Sequence, residues 1–496
     1  MMGKSMRIRP ALKQVCAASA CALAVGLGAL SDASAQSLIE ALSNTYNSNP
    51  DLLASRALLR QTDEGLTQAL SNWRPKVLLN YEYNKIEYAG NPIAKAGFAY
   101  MLNGKTTLLT VTQPLFRGGK TVADTKTAQA NIQAQRAMLA DTEQQVMLSS
   151  IQAYADLARD IGIVDARKNN VRVLVEQLNA TRERFRVGEL TITDVSQAEA
   201  RLEGAKADLV QAQAQVRIDE AAFVHYIGLQ PTKIGDLPLV GALPSSEEEC
   251  VTLAMDIAPR SLSAQNRITA ASYGVDSAIA VLLPQVNLVG FVQQQFDLQV
   301  PSDAYWQYGV RLQATVPIYQ NGSEWSAVRQ AKELVGQRRN ELDSARRTAA
   351  ETVIRFWRNL DAARSQVLSF QAQVRANEVA LNGVRQEALV GSRTTLDVLN
   401  AEQELLNSQV SLLQANHDVQ VNYYGVLSGI GRLTGRTLGL PVEYYDEEKY
   451  YREVGSRWIG TWGAGTNATG PATSGAAMMG VGSTTTGPTT GAGSNK

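Results

Sequence analysis

Arg184-Phe185-Arg186-Val187-Gly188-Glu189-Leu190-Thr191-Ile192-Thr193-Asp194-Val195 recurs as Glu387-Ala388-Leu389-Val390-Gly391-Ser392-Arg393-Thr394-Thr395-Leu396-Asp397-Val398, at an offset of 203 (391 − 188 and 397 − 194). Both stretches are turns: a Val-Gly pair closes one helical run and an aspartate opens the next. The same offset relates Pro114 to Pro317 and Gly228 to Gly431, whereas Pro50 and Pro75 find Pro259 and Pro284 at 209. A six-residue difference therefore falls between Pro75 and Pro114. The unbroken register from Pro114 to Gly228 suits long packed helices, where any insertion would rotate the apolar face. A unit of about 200 residues is too long for a solenoid repeat, so the chain is a duplicated module.

Each module reads as helix, strand, strand, long helix, turn, helix. After the first turn Val195, Leu202, Leu209, Val216 and Phe223 recur every seven residues, with Ala198, Ala205 and Ala212 as a row of small companions. After the second, Val398, Leu405, Leu412, Val419 and Val426 do the same. A heptad of apolar residues filled independently in two places is a coiled-coil signal. Gly322 to Leu389 holds no proline, and a continuous helix of that length would reach roughly 100 Å at 1.5 Å per residue. No compact globule accommodates it.

The strands carry the second decisive pattern. Leu79, Tyr81 and Tyr83 alternate with Asn80, Glu82 and Asn84, and Trp306, Tyr308, Val310 and Leu312 alternate with Gln307, Arg311, Gln313 and Thr315. Such alternation marks a strand with lipid on one side and water on the other, though an ordinary half-buried strand shows it too. With partners at Thr106–Gln113 and Val286–Phe296 the chain supplies four strands. Four strands leave open edges, which lipid does not tolerate, so a barrel requires several copies.

Lys4, Arg7, Arg9 and Lys13, the apolar Val15–Leu30 stretch and Ala33-Ser34-Ala35 form a secretory signal expected to be cleaved after Ala35. Cys250 then remains alone, so no internal disulfide is expected. Lys plus Arg and Asp plus Glu are 47 each, giving a net charge of zero that argues against a nucleic-acid partner. The expected organisation is a signal peptide (1–35), a first repeat (36–240, β-hairpin 77–114, tip near 187–194), and a second repeat (241–435, β-hairpin 286–317, tip near 390–397). An equatorial or C-terminal segment (436–462) and a Gly/Thr/Ser/Ala-rich tail (463–496) expected to be disordered complete it.

On these residues the chain resembles the TolC family of outer-membrane efflux and secretion channels, from Leu38 to about Leu433, most specifically in the two tips. The resemblance implies a fold that is mainly α with a membrane β-barrel: a long coiled-coil α-helical barrel, plus four strands per protomer in a trimeric twelve-stranded barrel. It implies a homotrimer set in outer-membrane lipid, with its helical part in the periplasm. An adaptor (membrane fusion protein) and an inner-membrane pump or export ATPase would hand it drugs or proteins. By motif position Asp194 and Arg393 resemble a pair linking the tips at a gated entrance, and Asp397 resembles an acidic ring at the constriction. Asn400 stands where a second acidic ring would be, and Ala388 where a locking tyrosine would be. Val187, Gly188, Glu189, Val390, Gly391 and Ser392 would form the tips that meet the adaptor.

Physically, three copies of Asp397 around a narrow axis would attract cations, and Arg393 could hold a carboxylate in a breakable latch. The plainer alternative is that Asp194 and Asp397 cap helices, and both roles can coexist. No Cys/His cluster suggests a metal and no Ser/His/Asp set suggests an enzyme, so neither catalysis nor a cofactor is expected. His225 and His417 read as structural or surface residues. Gly429-Ile430-Gly431 with Gly435 ends a helix and is not read as a dinucleotide loop. A structural or adhesive coiled-coil envelope protein would explain the heptads and the export signal. It would not explain twin hairpins at matching points of both repeats.

Overall fold

The computed structural model describes residues 37–88, 100–235, 237–297 and 304–461. The signal segment and the Gly/Thr/Ser/Ala tail from 463 lie outside the described residues, and every described helix and strand belongs to the unit ending at Gly455. The elements run α1 (Leu38–Ser48), α2 (Pro50–Ser71), β1 (Lys76–Tyr88), β2 (Tyr100–Arg117), α3 (Lys120–Arg186) and α4 (Ile192–Ile227). The second set is α5 (Glu247–Ile257), α6 (Pro259–Ala280), β3 (Gln285–Phe296), β4 (Ala304–Thr315), α7 (Ser323–Leu389) and α8 (Thr395–Gly429), with a short α9 (Lys449–Gly455) after it.

The single helix expected ahead of each β-hairpin is a pair. Asn49 caps α2 by accepting from Asp51 and Leu52 N–H, and Pro50 takes the first helical position. Pro259 does the same for α6. Proline has no N–H to donate back into α1 or α5, so one helix stops and another starts with φ already set. The strand-to-helix joints also match: Gly119 and Gly322 precede α3 and α7 at φ 83° and 80°. Gly118 and its counterpart Asn321 are left-handed as well, asparagine being a residue that tolerates this region.

The four strands form one antiparallel sheet in the order β1-β2-β3-β4. Its register aligns the apolar rows read from the sequence. Leu79 faces Leu109, Leu109 faces Val292 and Val292 faces Tyr308, while Val77, Val111, Gly290 and Val310 form the next row on the same side. The opposite side carries rows such as Asn80, Leu108, Gln293 and Gln307. Pro114, which cannot donate to a ladder, sits at the one irregularity, where the register skips Leu115. β1 and β4 are edges.

The register also locates the six-residue difference between the repeats. Lys76 pairs with Thr112 and Gln285 with Thr315, spans of 36 and 30 residues that start at equivalent positions. The surplus therefore lies entirely at the end of the first hairpin remote from the helices.

The main core surrounds Tyr154 of α3, Phe223 of α4 and Tyr424 of α8, all fully buried, with Leu38, Leu42 and Tyr46 of α1 packed onto them. Three tyrosines bind the connection between repeats: Tyr154 Oη donates to Gly235 O at 3.0 Å, Tyr424 Oη to Pro238 O at 2.6 Å, and Tyr423 Oη to Gly241 O. The segment after Gly435, where the sequence pattern fades, joins this core through Leu438 and Leu440. α9 docks on α2, where Thr67 Oγ1 donates to Val454 O at 2.9 Å. A second, smaller apolar cluster lies near the tips: Leu174 and Leu178 of α3, Val195, Ala198 and Leu202 of α4, and Leu399 of α8. Leu399, 2 % exposed, is thus a residue of the second helical hairpin seated in the seam of the first.

Candidate functional site

Both tips are built by the same local chemistry. Helix α3 ends with Gly188 at φ 82°, Gly188 N–H donating to Phe185 O at 2.9 Å and Glu189 N–H to Arg184 O at 2.9 Å. α7 ends likewise, with Gly391 at φ 80°, Gly391 N–H reaching Ala388 O and Ser392 N–H reaching Glu387 O at 3.0 Å. A left-handed residue after the last turn, with these crossed bonds, stops a helix and satisfies its final carbonyls, and glycine adopts it without a Cβ clash. The next helix begins on a capping box. Thr191 Oγ1 accepts from Asp194 N–H while Asp194 Oδ2 accepts from Thr191 N–H at 3.0 Å. Thr394 and Asp397 repeat the arrangement, also at 3.0 Å.

Asp194 and Asp397 are therefore helix caps. Among the described residues every hydrogen bond to either carboxylate goes to Oδ2. Bonds from the Thr191 hydroxyl and then its N–H hold Asp194 below the ordinary carboxylate range. The Thr394 N–H and then its hydroxyl do the same for Asp397. Both groups stay charged across the physiological range.

Within one chain the structure does not bring Asp194 and Arg393 together. Arg393 Nε donates to Glu387 Oε2 at 2.9 Å across its own turn, which raises its pKa. The first tip has the reverse pair, Arg184 Nε to Glu189 Oε2 at 3.0 Å. Asn400 Oδ1 accepts from Arg201 Nη2 of α4 at 3.0 Å, a direct bond between the two hairpins beside the Leu399 contact. Val187 and Val390 are 68 % and 81 % exposed, and Ile192 and Leu389 also stand in the open. Each tip thus ends in uncovered apolar side chains.

Three features escaped the sequence. Arg182 pairs with Glu199 at 2.5 Å, and at the 203 offset Arg385 pairs with Glu402, so each hairpin carries an equivalent clamp. The matching offsets of all four residues were a usable signal. Arg201, opposite Asn400, has no such counterpart, because Glu404 occupies its repeat position. The third is a charged layer around His417, which lies 2.9 Å from Asp156 and 2.9 Å from Asp418. His225 ends α4 with its ring against Tyr226, 4.7 Å between centroids.

The comparisons with known proteins agree with this architecture. The family model described as outer membrane efflux protein matches residues 41–229 and 255–431, one match per repeat. The outer membrane efflux protein BepC of Brucella suis is 33% identical over 430 residues, covering 86% of this chain and 92% of its own. The outer membrane protein TolC of Escherichia coli is 25% identical over 432 residues, covering 83% and 85%. The Campylobacter jejuni CmeC outer membrane channel superposes with a TM-score of 0.71 at 18% identity, covering 84% of this chain and 89% of CmeC.

Proposed function

This chain belongs to the outer membrane efflux protein family and is an outer-membrane channel for export; from that premise we propose how its copies assemble, what they carry and how the entrance is held. Three copies close one twelve-stranded barrel by pairing β4 of one with β1 of the next, and their long helices form the periplasmic tunnel. The observation that carries this is the open sheet. Its apolar rows cross all four strands while both edges are unpaired among the described residues, a state lipid does not tolerate. The duct is passive. It exports small molecules delivered by an inner-membrane pump through a periplasmic adaptor, which docks on the exposed Val187, Ile192, Leu389 and Val390. The efflux name of the relative that is 33% identical supports that cargo.

At the entrance Asp397 forms a ring of three carboxylates, and Asn400, bonded to Arg201, adds no second acidic ring. Asp194 of one copy meets Arg393 of the next, competing with Glu387 for the guanidinium. Asp194 has Oδ1 available for that bond, since its cap uses Oδ2 alone. Single-channel current in a planar bilayer tests this. Wild type should give small, long-lived, cation-preferring steps. Asp194→Ala with Arg393→Ala should raise the conductance severalfold, and Asp397→Ala should reduce the cation preference. Unchanged conductance in the double variant would remove the latch and leave the duct standing.

A further inference from the structure

At the tip-ward end of the main core, charged side chains are set among the apolar ones where α3, α4 and α8 meet. Arg159 of α3 donates through Nε to Asp160 at 2.6 Å and through Nη1 to Asp156 at 2.8 Å. His417 Nε2 of α8 lies 2.9 Å from Asp156 as a charge pair without hydrogen-bond alignment, and its other ring nitrogen is 2.9 Å from Asp418. Asp219 of α4 accepts from Gln215 at 3.0 Å through Oδ1, while its Oδ2 is buried without a protein partner when the carboxyl is ionised. Asp160 and Asp219 are 4 % and 7 % exposed and lie side by side.

We propose that this layer is a proton-operated joint, which holds α8 of the second hairpin and α4 against α3 in mild acid and loosens as pH rises through neutrality. Its charge cannot balance by itself. The two buried aspartates, Asp160 and Asp219, face one largely buried arginine, so with His417 neutral the buried set carries −1 (two against one), while Asp156 and Asp418 stand at its rim with side chains 37% exposed. Buried charge of one sign is relieved by binding protons. The Asp160–Asp219 contact supplies the place: a protonated Asp219 donates its hydrogen to an ionised Asp160, which removes one charge and satisfies the orphaned oxygen at once. A second proton sits on His417, which bonds Asp418 and carries a positive charge 2.9 Å from Asp156.

The electrostatics agree with that geometry. Burial first, then the hydrogen bond to Asp160 and the charges of Asp160 and Asp156, push Asp219 up to about 7. Burial would raise Asp160, but bonds from Arg159 and Asp219 and the charges of Arg159 and His417 bring it below its ordinary value. Burial would lower His417, but its close carboxylates Asp156 and Asp418 outweigh that, against Arg159, and raise it. α1 meets α4 through the neutral Asn44, and the nearest interaction from α7 is that of Arg364 with Tyr423, six residues beyond His417.

The sign is the same for both groups. A folded pKa above the unfolded one contributes stability that is complete below the unfolded value and is lost as pH rises through the folded value. For Asp219 that window runs from its ordinary 3.8 to about 7. For His417 it begins at the ordinary 6.5 and extends above it. The joint is therefore tightest in mild acid and loosest above neutrality.

Hydrogen–deuterium exchange of the full chain in detergent micelles tests the joint without reference to transport. Rates at pH 5.5 and 8.0 are corrected for intrinsic exchange and compared for residues 209–221 of α4 and 410–421 of α8. Protection there should fall on the order of tenfold at pH 8.0, one pKa unit being a factor of ten, while α6 stays unchanged. Asp219→Asn keeps a donor toward Asp160 and should hold most of the acid-level protection at pH 8.0. A loss in D219N equal to that of wild type, or no pH dependence in wild type, overturns the proposal. His417→Gln reads the joint from α8. Its protection at pH 5.5 should drop toward the wild-type level at pH 8.0, and full wild-type protection in H417Q also overturns the proposal, whether or not D219N folds.

Discussion

α3 and α7 occupy the same place in the two repeats, are each 67 residues long and start on left-handed residues, yet twenty residues of α3 are buried and only seven of α7. Duplication copied the helix and its caps; it did not copy the surroundings. α3 packs on α2, α4, α6 and α8 at once, whereas α7 meets α5, α6 and α8. The face of α7 left over carries Leu368 and Val379 at 69 % and 73 % exposure. A long helix with apolar residues in the open offers a surface for a neighbour, and the trimer proposed above would place another copy there.

The largest test of this contrast sets Tyr154→Ala on α3 against Leu368→Ala on α7. Tyr154 is fully buried, and its removal should cost about 3–5 kcal/mol of unfolding free energy, read by far-UV circular dichroism in denaturant. Leu368→Ala should leave the protomer within about 0.5 kcal/mol and instead lower the fraction of assembled species on native gels. Equal costs would erase the distinction. A smaller effect probes the side of α7 that is packed. A methyl added at Gly429 of α8 would lie 2.6 Å from Val353 Cγ2, so Gly429→Ala should cost roughly 1–3 kcal/mol through overpacking. The smallest compares the paired clamps. Arg385→Ala strands Glu402, whose side chain is only 10% exposed, whereas Arg182→Ala frees a Glu199 side chain that is 47% exposed. The first should cost about 1–2 kcal/mol and the second under about 0.5 kcal/mol in the same denaturation, and a reversed order would mean that exposure does not govern these pairs.

The repeats, the strands and the tips were legible because each is written in a periodicity: seven in Val195–Phe223, two in Leu79–Tyr83, and 203 across the duplication. The capping role of Asp194 and Asp397 was legible too, since Thr191-x-x-Asp194 and Thr394-x-x-Asp397 carry the pattern on their face. Contacts that join different helices at long range were not. Nothing near Asn400 announces Arg201, 199 residues away, and nothing near His417 announces Asp156, because side-chain pairing between helices depends on their rotation and offset. The packing of the segment after Gly435 was not legible for a related reason. Leu438 and Leu440 enter the core from an irregular backbone that has no period to detect.

The unequal β-hairpins carry one more consequence, for tolerance to change. All six surplus residues of the first hairpin sit past the last shared rung, while more than a hundred residues from Pro114 to Gly228 keep their register with the second repeat. Length has been edited at one end of the sheet and kept equal between the copies everywhere that helices lie against each other. Chain added beyond the strand ends leaves every shared rung in place and costs chiefly a slowly growing loop entropy. The remote ends of these hairpins are therefore where an epitope, a label or a binding peptide can be grafted, and the long helices are where a single inserted residue would be felt along their whole length.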